Sequence, residues 1–368
     1  MIDAQNGCDS SSSASGSNTR LKVALITDTH TLSNYSALLR QFFIGLSDKT
    51  SLAMVFEPGA NRDFLFSLPV EIIQHPALKM PLLWRQNKTR LLERLEKFKP
   101  SVLHCFGHRK MALTKKLAKH FDISAVVTVD SMPPRSFKFV SCLSGFSSIT
   151  APSEEIVNNI TKAYPSLQQL VRKVNMGTFV DDNCACFSRP DRLPSMVVMH
   201  PLDKLADFEP LLCAVRHLAI DGYEFVLAII GSGKAEKTIR KMVKTLGLAQ
   251  IVNLTDEIHP LRTVFRGADI FIQPQPSQLF NGPLLEAMGA GMAVASCDDT
   301  GNDLVTENQT ALLFDQDDEL SVYAILQKLL NKHEMARTLA MNAQNNLRQN
   351  HTVSKMVADL LEIYRTIA

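Results

Sequence analysis

Residues Gln278 to Ser296 read QLFNGPLLEAMGAGMAVAS. Ala268 to Gln275 (ADIFIQPQ), just upstream, is a short apolar run that ends at a proline, the pattern of a buried strand. Met292 to Ser296 reads as the next strand, and a helix of roughly two turns fits between them. Pro283 suits the first helical turn, where φ is already set and a missing N–H costs nothing. Asn281 or Gly282 is a fitting N-cap, and Gly289 and Gly291 are fitting terminators. A polar loop therefore meets a helix N-terminus at the carboxyl end of a parallel strand, where open α/β sheets bind ligands. The unpaired amides of such a turn favour an anion, for example a phosphate. Glu286, about one turn in, has two readings. Its carboxylate could accept hydrogen bonds from sugar hydroxyls, or it could only complement the helix dipole, worth ~0.3–1 kcal/mol.

The chain has 368 residues, enough for two domains, and is 45% hydrophobic and 21% charged, which suits two full globular cores. A net charge of +2 excludes the electrostatic footprint of a nucleic-acid binder. The seven cysteines form neither a C-x-x-C nor a zinc spacing and are read as reduced thiols of a cytoplasmic protein. No apolar run is long enough to span a bilayer, and the N-terminus carries no signal-peptide pattern. Residues 1–20 lack apolar side chains to bury and read as a disordered tail.

Buried strands are expected at Leu21–Thr27, Ser51–Phe56, Val70–Gln74, Ala125–Val129, Ser147–Ala151, Ser195–Met199, Glu224–Ile230 and Ile251–Leu254, with helices between them. Leu82 to Lys99 reads as an amphipathic helix with a basic face. That face is either solvated surface or a peripheral contact with anionic membrane. Asp28 and His30 follow the first strand and read as a helix cap or as contacts to an acceptor. His104 and His108 read as packing or loop hydrogen-bonding groups. Ser153 reads as an N-cap. Gly231-Ser-Gly233 turns from strand to helix but lacks the third glycine of a dinucleotide fingerprint, which argues against an NAD enzyme.

With these residues in hand, the stretch resembles the signature of the retaining glycosyltransferases of family 4, approximately E-G-F-G-L-P-L-L-E-A-M-A-x-G-x-P-V-V. The matches are Phe280, Pro283-Leu284-Leu285-Glu286-Ala287-Met288, Gly291 and Val294. The resemblance is strong from Gly231 to Leu330 and thin in the first hundred residues. It implies the GT-B fold: an α/β protein with two Rossmann-like, doubly wound parallel-sheet domains and a cleft between them. The expected boundaries are 21–185 for an acceptor-side domain, 195–350 for a nucleotide-sugar domain, and 351–368 for a helix crossing back to the first domain.

The resemblance also implies roles. Glu286 would hold the donor ribose, and Phe280, Asn281, Gly282, Pro283, Leu284 and Leu285 would border the diphosphate. Gly231, Gly233, Lys234 and Thr255 would lie beside the nucleotide. Gln278 would touch the sugar in place of the family's first acidic residue, and Asp130 replaces a histidine near the transferred sugar. The family's arginine and lysine that clamp the diphosphate fall on Pro201 and Ala206, leaving Lys204, two residues away, as the candidate substitute. Catalysis would then rest on Gln278, Asp130 and Lys204, with no metal and no cofactor beyond the donor, and with the diphosphate itself helping to deprotonate the acceptor. Loss of one donor to a developing oxyanion typically costs ~100- to 1000-fold in rate. Two expectations follow. One is an active glycosyltransferase with an unidentified acceptor. The other is a non-catalytic GT-B protein that binds or scaffolds a partner.

Overall fold

The computed structural model describes residues 20–59, 65, 67–75, 84–131, 137–256, 260–277, 280–297 and 303–368. The N-terminal tail and Gln278 lie outside the described residues. Two parallel sheets organise the chain. The first contains β1 (Lys22–Ile26), β2 (Ser51–Phe56), β3 (Val70–Gln74), β4 (Val102–Phe106), β5 (Ser124–Thr128), β6 (Ser148–Ala151) and β7 (Val171–Lys173), in the order β3-β2-β1-β4-β5-β6-β7. The second contains β8 (Ser195–Met199), β9 (Val226–Ile230), β10 (Val252–Thr255), β11 (Ile270–Gln273), β12 (Ala293–Cys297) and β13 (Leu312–Phe314), in the order β10-β9-β8-β11-β12-β13. Among the described residues these strands pair in parallel, with Ala24 opposite Leu103 in the first sheet and Phe271 opposite Val197 in the second.

Parallel strands are covered on both faces, so they need continuous rather than alternating apolar runs. That is why VLHCF and AVASC are buried along their whole length. In both sheets the chain winds outward from its first strand and then returns to that strand's other side. The reversals fall at β1/β4 and at β8/β11. Crevices for ligands open at such points, outside the carboxyl ends of the strands.

Helices α1 (Thr29–Asn34), α2 (Ser36–Ser47), α3 (Trp84–Phe98), α4 (Met111–Phe121), α5 (Phe137–Leu143) and α6 (Glu154–Ala163) flank the first sheet. Helices α7 (Glu209–Ile220), α8 (Glu236–Thr245), α9 (Leu261–Phe265), α10 (Gly282–Ala290), α11 (Glu319–Asn331) and α12 (His333–Asn350) belong to the second part, and α13 (Val353–Ile367) closes the chain. Helix α12 has no counterpart among the sequence expectations. Its buried face is built largely of Ala336, Ala340 and Ala343, which give a weak apolar period.

Helix α13 packs on α2 of the first domain, burying Val353, Met356, Val357, Leu360 and Leu361. A Cβ on Gly45 would come within 2.7 Å of both Val353 and Val357, so the two helices touch at that glycine. Tyr364 adds a polar tie, its hydroxyl 2.6 Å from Nδ1 of His104 in β4, whose Nε2 is 2.8 Å from Thr128 Oγ1. The hydroxyl of Thr128 lies 2.8 Å from that of Thr150, and Thr150 reaches the Val127 carbonyl. One direction satisfies every donor: Tyr364 to Nδ1, Nε2–H to Thr128, Thr128 to Thr150, Thr150 to the carbonyl. Burial holds His104 neutral, its pKa lowered to about 3.

Candidate functional site: a cleft at the ends of both sheets

Helix α10 starts where the sequence places it. Asn281 is the N-cap, its Oδ1 accepting from the Leu284 amide at 3.0 Å. The cap side chain is held in turn by Gln273, whose Oε1 accepts from Asn281 Nδ2 at 3.1 Å. Pro283 occupies the first turn, and Gly291 ends the helix at φ 80° in the left-handed region. Gly289 lies inside the helix rather than at its end. There, a Cβ would press on the Phe179 carbonyl at 3.1 Å.

A cavity of about 770 Å³ opens between the two domains at this point. The first domain contributes Thr29, His30, Ser33, Asn34 and Tyr35 from the turn after β1, together with Gly59. The second contributes Met199, His200, Pro201 and Asp203 after β8, and Ile230, Gly231 and Ser232 after β9. Gln273, Gln275, Pro276 and Ser277 follow β11, and Phe280, Asn281 and Pro283 lead into α10. Both switch points therefore face one cleft. The wall is amide, hydroxyl, imidazole and ring. Among the described residues it contains no lysine or arginine, and its one carboxylate is that of Asp203.

Of the residues singled out from the sequence, His30, Pro201, Gly231, Phe280, Asn281 and Pro283 line this cavity. The other described ones lie elsewhere, for identifiable reasons. Glu286 is buried behind the helix start. Its Oε1 accepts from Gln41 Nε2 of α2 and from Thr178 Oγ1 at 2.8 Å, and its Oε2 accepts from Arg262 Nη1 at 3.1 Å. The expected ribose ligand is thus a member of an ion-paired seam. Arg262 continues that seam to Asp181 and to the Phe179 carbonyl. Burial would raise the Asp181 carboxyl, but the Arg266 and Arg262 guanidiniums outweigh it and hold the group below its ordinary range.

The first-turn amides of α10 are also committed. Gly282 donates to the Phe280 carbonyl at 3.1 Å, Leu284 to the Asn281 side chain, and Leu285 to the Asn281 carbonyl at 3.2 Å. Pro283 has no N–H. No described amide of this turn is left for a phosphate, contrary to the expectation from its sequence. Leu284 and Leu285 are wholly buried in the core between the domains.

The glycines of Gly231-Ser-Gly233 serve backbone packing. A Cβ on either would come within 2.3 Å of a carbonyl oxygen, that of His200 or that of Leu202. The two turns are stitched by Leu202 N–H to the Ser232 carbonyl at 3.0 Å and Ala235 N–H to the Leu202 carbonyl at 2.7 Å. Thr255 gives its carbonyl to the Gly231 amide at 3.0 Å. Lys204 and Lys234 are exposed and are not among the lining residues.

Asp130 lies under the cleft. Its backbone carbonyl accepts from the Phe280 amide at 2.8 Å, joining the two domains across the loop that precedes α10. Its side chain is buried beside the Tyr35 hydroxyl, and among the described residues Oδ1 has no hydrogen-bond partner. Burial raises the Asp130 carboxyl above its ordinary range, against the pull of its own backbone amide, His108 and Tyr35. Asp28 caps α1, accepting from the His30 amide at 3.0 Å and the Thr31 hydroxyl at 2.7 Å. Helix α3 buries Leu91, Leu95 and Phe98 and leaves Arg85, Lys88, Arg90, Arg94 and Lys97 in solvent. Among the described residues no group of histidines, cysteines and carboxylates could hold a metal ion, and no helix is long and apolar enough to cross a membrane.

Gln41, Thr178 and Arg262 went unnoticed in the sequence. The one available signal was Gln41, a lone amide among Leu38, Leu39, Phe42 and Phe43 on a core-facing helix, since a buried amide requires a partner.

Two sheets of this order with a shared cleft admit many chemistries, and sequence comparison narrows them. Residues 188–346 match the family model described as glycosyl transferases group 1. The second domain is thus similar to the glycosyl transferases group 1 family. Solved structures extend the fold to the whole chain. A glycosyltransferase from Rickettsia africae ESF-5 superposes with a TM-score of 0.74 at 13% identity, covering 95% of this chain and 99% of that one. Sucrose-phosphate synthase from Thermosynechococcus elongatus gives 0.74 at 16% identity, covering 94% and 99%. Anabaena HepE in complex with UDP-glucose gives 0.73 at 14% identity, covering 93% and 99%. No curated protein sequence is significantly similar to the chain. The fold is therefore GT-B.

Proposed function

We propose that the chain binds a nucleotide-sugar in the interdomain cleft and transfers its sugar, with retention and without a bound metal, to an acceptor that enters against the first domain. The observation that carries this reading is the cavity itself, which sits at the switch points of both sheets and is bordered by the start of α10. The donor would lie along the turns after β8, β9 and β11. The acceptor would meet the turn after β1, with Asp130 and Tyr35 behind it and Gln278 on the sugar. UDP-sugars are the first donors to test, because Anabaena HepE holds UDP-glucose on the same fold. Retention rests on the resemblance at Pro283 to Met288.

A specific observation favours a second reading, a non-catalytic GT-B protein. Neither an arginine nor a lysine lines the described cleft, and the first-turn amides of α10 are taken. Two phosphate charges would then be met by neutral groups, and a leaving diphosphate would go largely unstabilised. Thermal unfolding against UDP-, GDP-, ADP- and dTDP-sugars separates the two. A donor at 100 times its Kd stabilises by ~2.7 kcal/mol, which for a domain of this size is a shift of ~2–4 °C per kcal/mol. A shift with one nucleotide, followed by hydrolysis or transfer of its sugar, supports the first reading. No shift at millimolar donor supports the second.

A further inference from the structure

We infer that His200 is the group that meets the phosphates of a nucleotide-sugar in this cleft, so that donor binding strengthens as pH falls. The inference rests on the cleft being a nucleotide-sugar site and specifies how a site whose described lining holds no arginine or lysine would hold a diphosphate. The described lining contains two side chains able to become cations, His200 from the turn after β8 and His30 from α1. At the start of α10 the amides of Gly282, Leu284 and Leu285 are committed within the turn.

His200 is the better placed of the two. Its ring rests edge-on against Phe208 and its Nε2 is 3.7 Å from Asp207 Oδ2, so a carboxylate stands ready to stabilise the imidazolium. Among the described residues, its Nδ1 has no hydrogen-bond partner. His30 has no such support: Asp28 spends its carboxylate on capping α1, and the ring's neighbour is the Asn34 amide at 3.4 Å.

The charges around His200 fix the sign of the effect. Burial lowers its pKa, while Asp207 and Asp203 raise it. The turn after β9 and the start of α10 present Gly231, Ser232, Asn281 and Pro283, none of which titrates, and the first domain presents His30. The net shift is downward, so the ring is mostly neutral at neutral pH and takes up a proton as pH falls below the ordinary imidazole range. A bound diphosphate favours the protonated form, so binding and protonation reinforce each other. One proton taken up on binding strengthens affinity by at most about tenfold per pH unit.

The test is calorimetric titration of the full chain with UDP-glucose at pH 7.5 and pH 5.5, with circular dichroism confirming the fold at both. UDP-glucose is the right probe because its phosphates are both diesterified and do not change charge over this range. The expected result is a Kd lower by about three- to tenfold or more at pH 5.5. His200→Gln should lose this gain, His30→Gln should keep it, and His200→Arg should bind comparably at both pH values. A wild-type Kd independent of pH, a gain that survives in His200→Gln, or one that disappears in His30→Gln overturns the assignment. Absence of wild-type binding at both pH values also overturns it. In that case binding by His200→Arg would leave the nucleotide-sugar reading standing, and no binding by that variant either would remove both.

Discussion

The two sides of helix α10 meet opposite environments. Towards the linker and α2 lies the seam, where Glu286 is buried and paired with Arg262, Thr178 and Gln41. Towards the cavity, Asn281 and Pro283 border an amide-rich cleft with little charge. In the related signature, the glutamate of this helix is a ligand residue; here the same helix start uses it to join domains. A local motif therefore fixes where a carboxylate sits along a helix. What that carboxylate does depends on which groups the rest of the fold brings to it.

The largest effect that could break this comparison is on stability. Removing one partner of a buried ion pair leaves the other uncompensated, at a cost of about 3–5 kcal/mol. Glu286→Ala should therefore lower the free energy of unfolding by about that amount in urea denaturation. Gln41→Ala, which removes a neutral partner, should cost roughly 1–3 kcal/mol. If Glu286→Ala unfolds like wild type but loses UDP-glucose binding, the carboxylate belongs to the cleft and its pairing in the seam is incidental.

The second seam contact, between His104 and Tyr364, makes a pH-dependent prediction. The folded pKa of His104 is about 3, below the unfolded value of about 6.5. Between these values the unfolded chain binds a proton that the folded chain does not, so stability falls as pH falls. The slope from this group is at most about 1.4 kcal/mol per pH unit. His200 and His351, both lowered chiefly by burial, act in the same direction. Asp130 acts oppositely, because its raised carboxyl is protonated in the folded state first and loses stability as pH rises towards its folded value. At neutral pH, Tyr364→Phe should cost about 1–3 kcal/mol by leaving Nδ1 of His104 buried without its donor. If the slope between pH 6.5 and 4 is the same in wild type and in His104→Gln, His104 does not contribute to it and is solvated.

The fold was legible because its signals are local. Continuous apolar runs such as VALI and IFIQ, each ended by a turn residue, can be read without knowing their neighbours. The start of α10 was legible for the same reason: Asn281, Pro283 and Gly291 act through their own backbone. The site was not legible to that degree. Glu286 is separated from Gln41 by 245 residues and from Thr178 by 108, so nothing near it in sequence reports that it is occupied. The glycines of the turn after β9 were equally ambiguous. A glycine that admits a phosphate and one that admits a carbonyl look alike until the opposing backbone, here His200 to Leu202, is in place. The missing clamp charges at Pro201 and Ala206, by contrast, were visible in the sequence. Pro201 lines the cleft, and no lysine or arginine is among the described lining residues.

The smallest effect is the most discriminating, because its two readouts move in opposite directions. Asn281 uses Oδ1 to cap the Leu284 amide at the edge of the cavity. Asn281→Ala removes the cap and should lower stability by about 1 kcal/mol. It also uncovers an N–H at the positive end of the helix dipole, where an anion gains ~0.3–1 kcal/mol. UDP-glucose affinity should then rise by about two- to fivefold while the unfolding temperature falls. If the cap were instead a direct contact to donor, affinity and stability would fall together. Opposite signs would place the anion site at the start of α10, closed in this structure by its own cap, and equal signs would make Asn281 part of the binding surface.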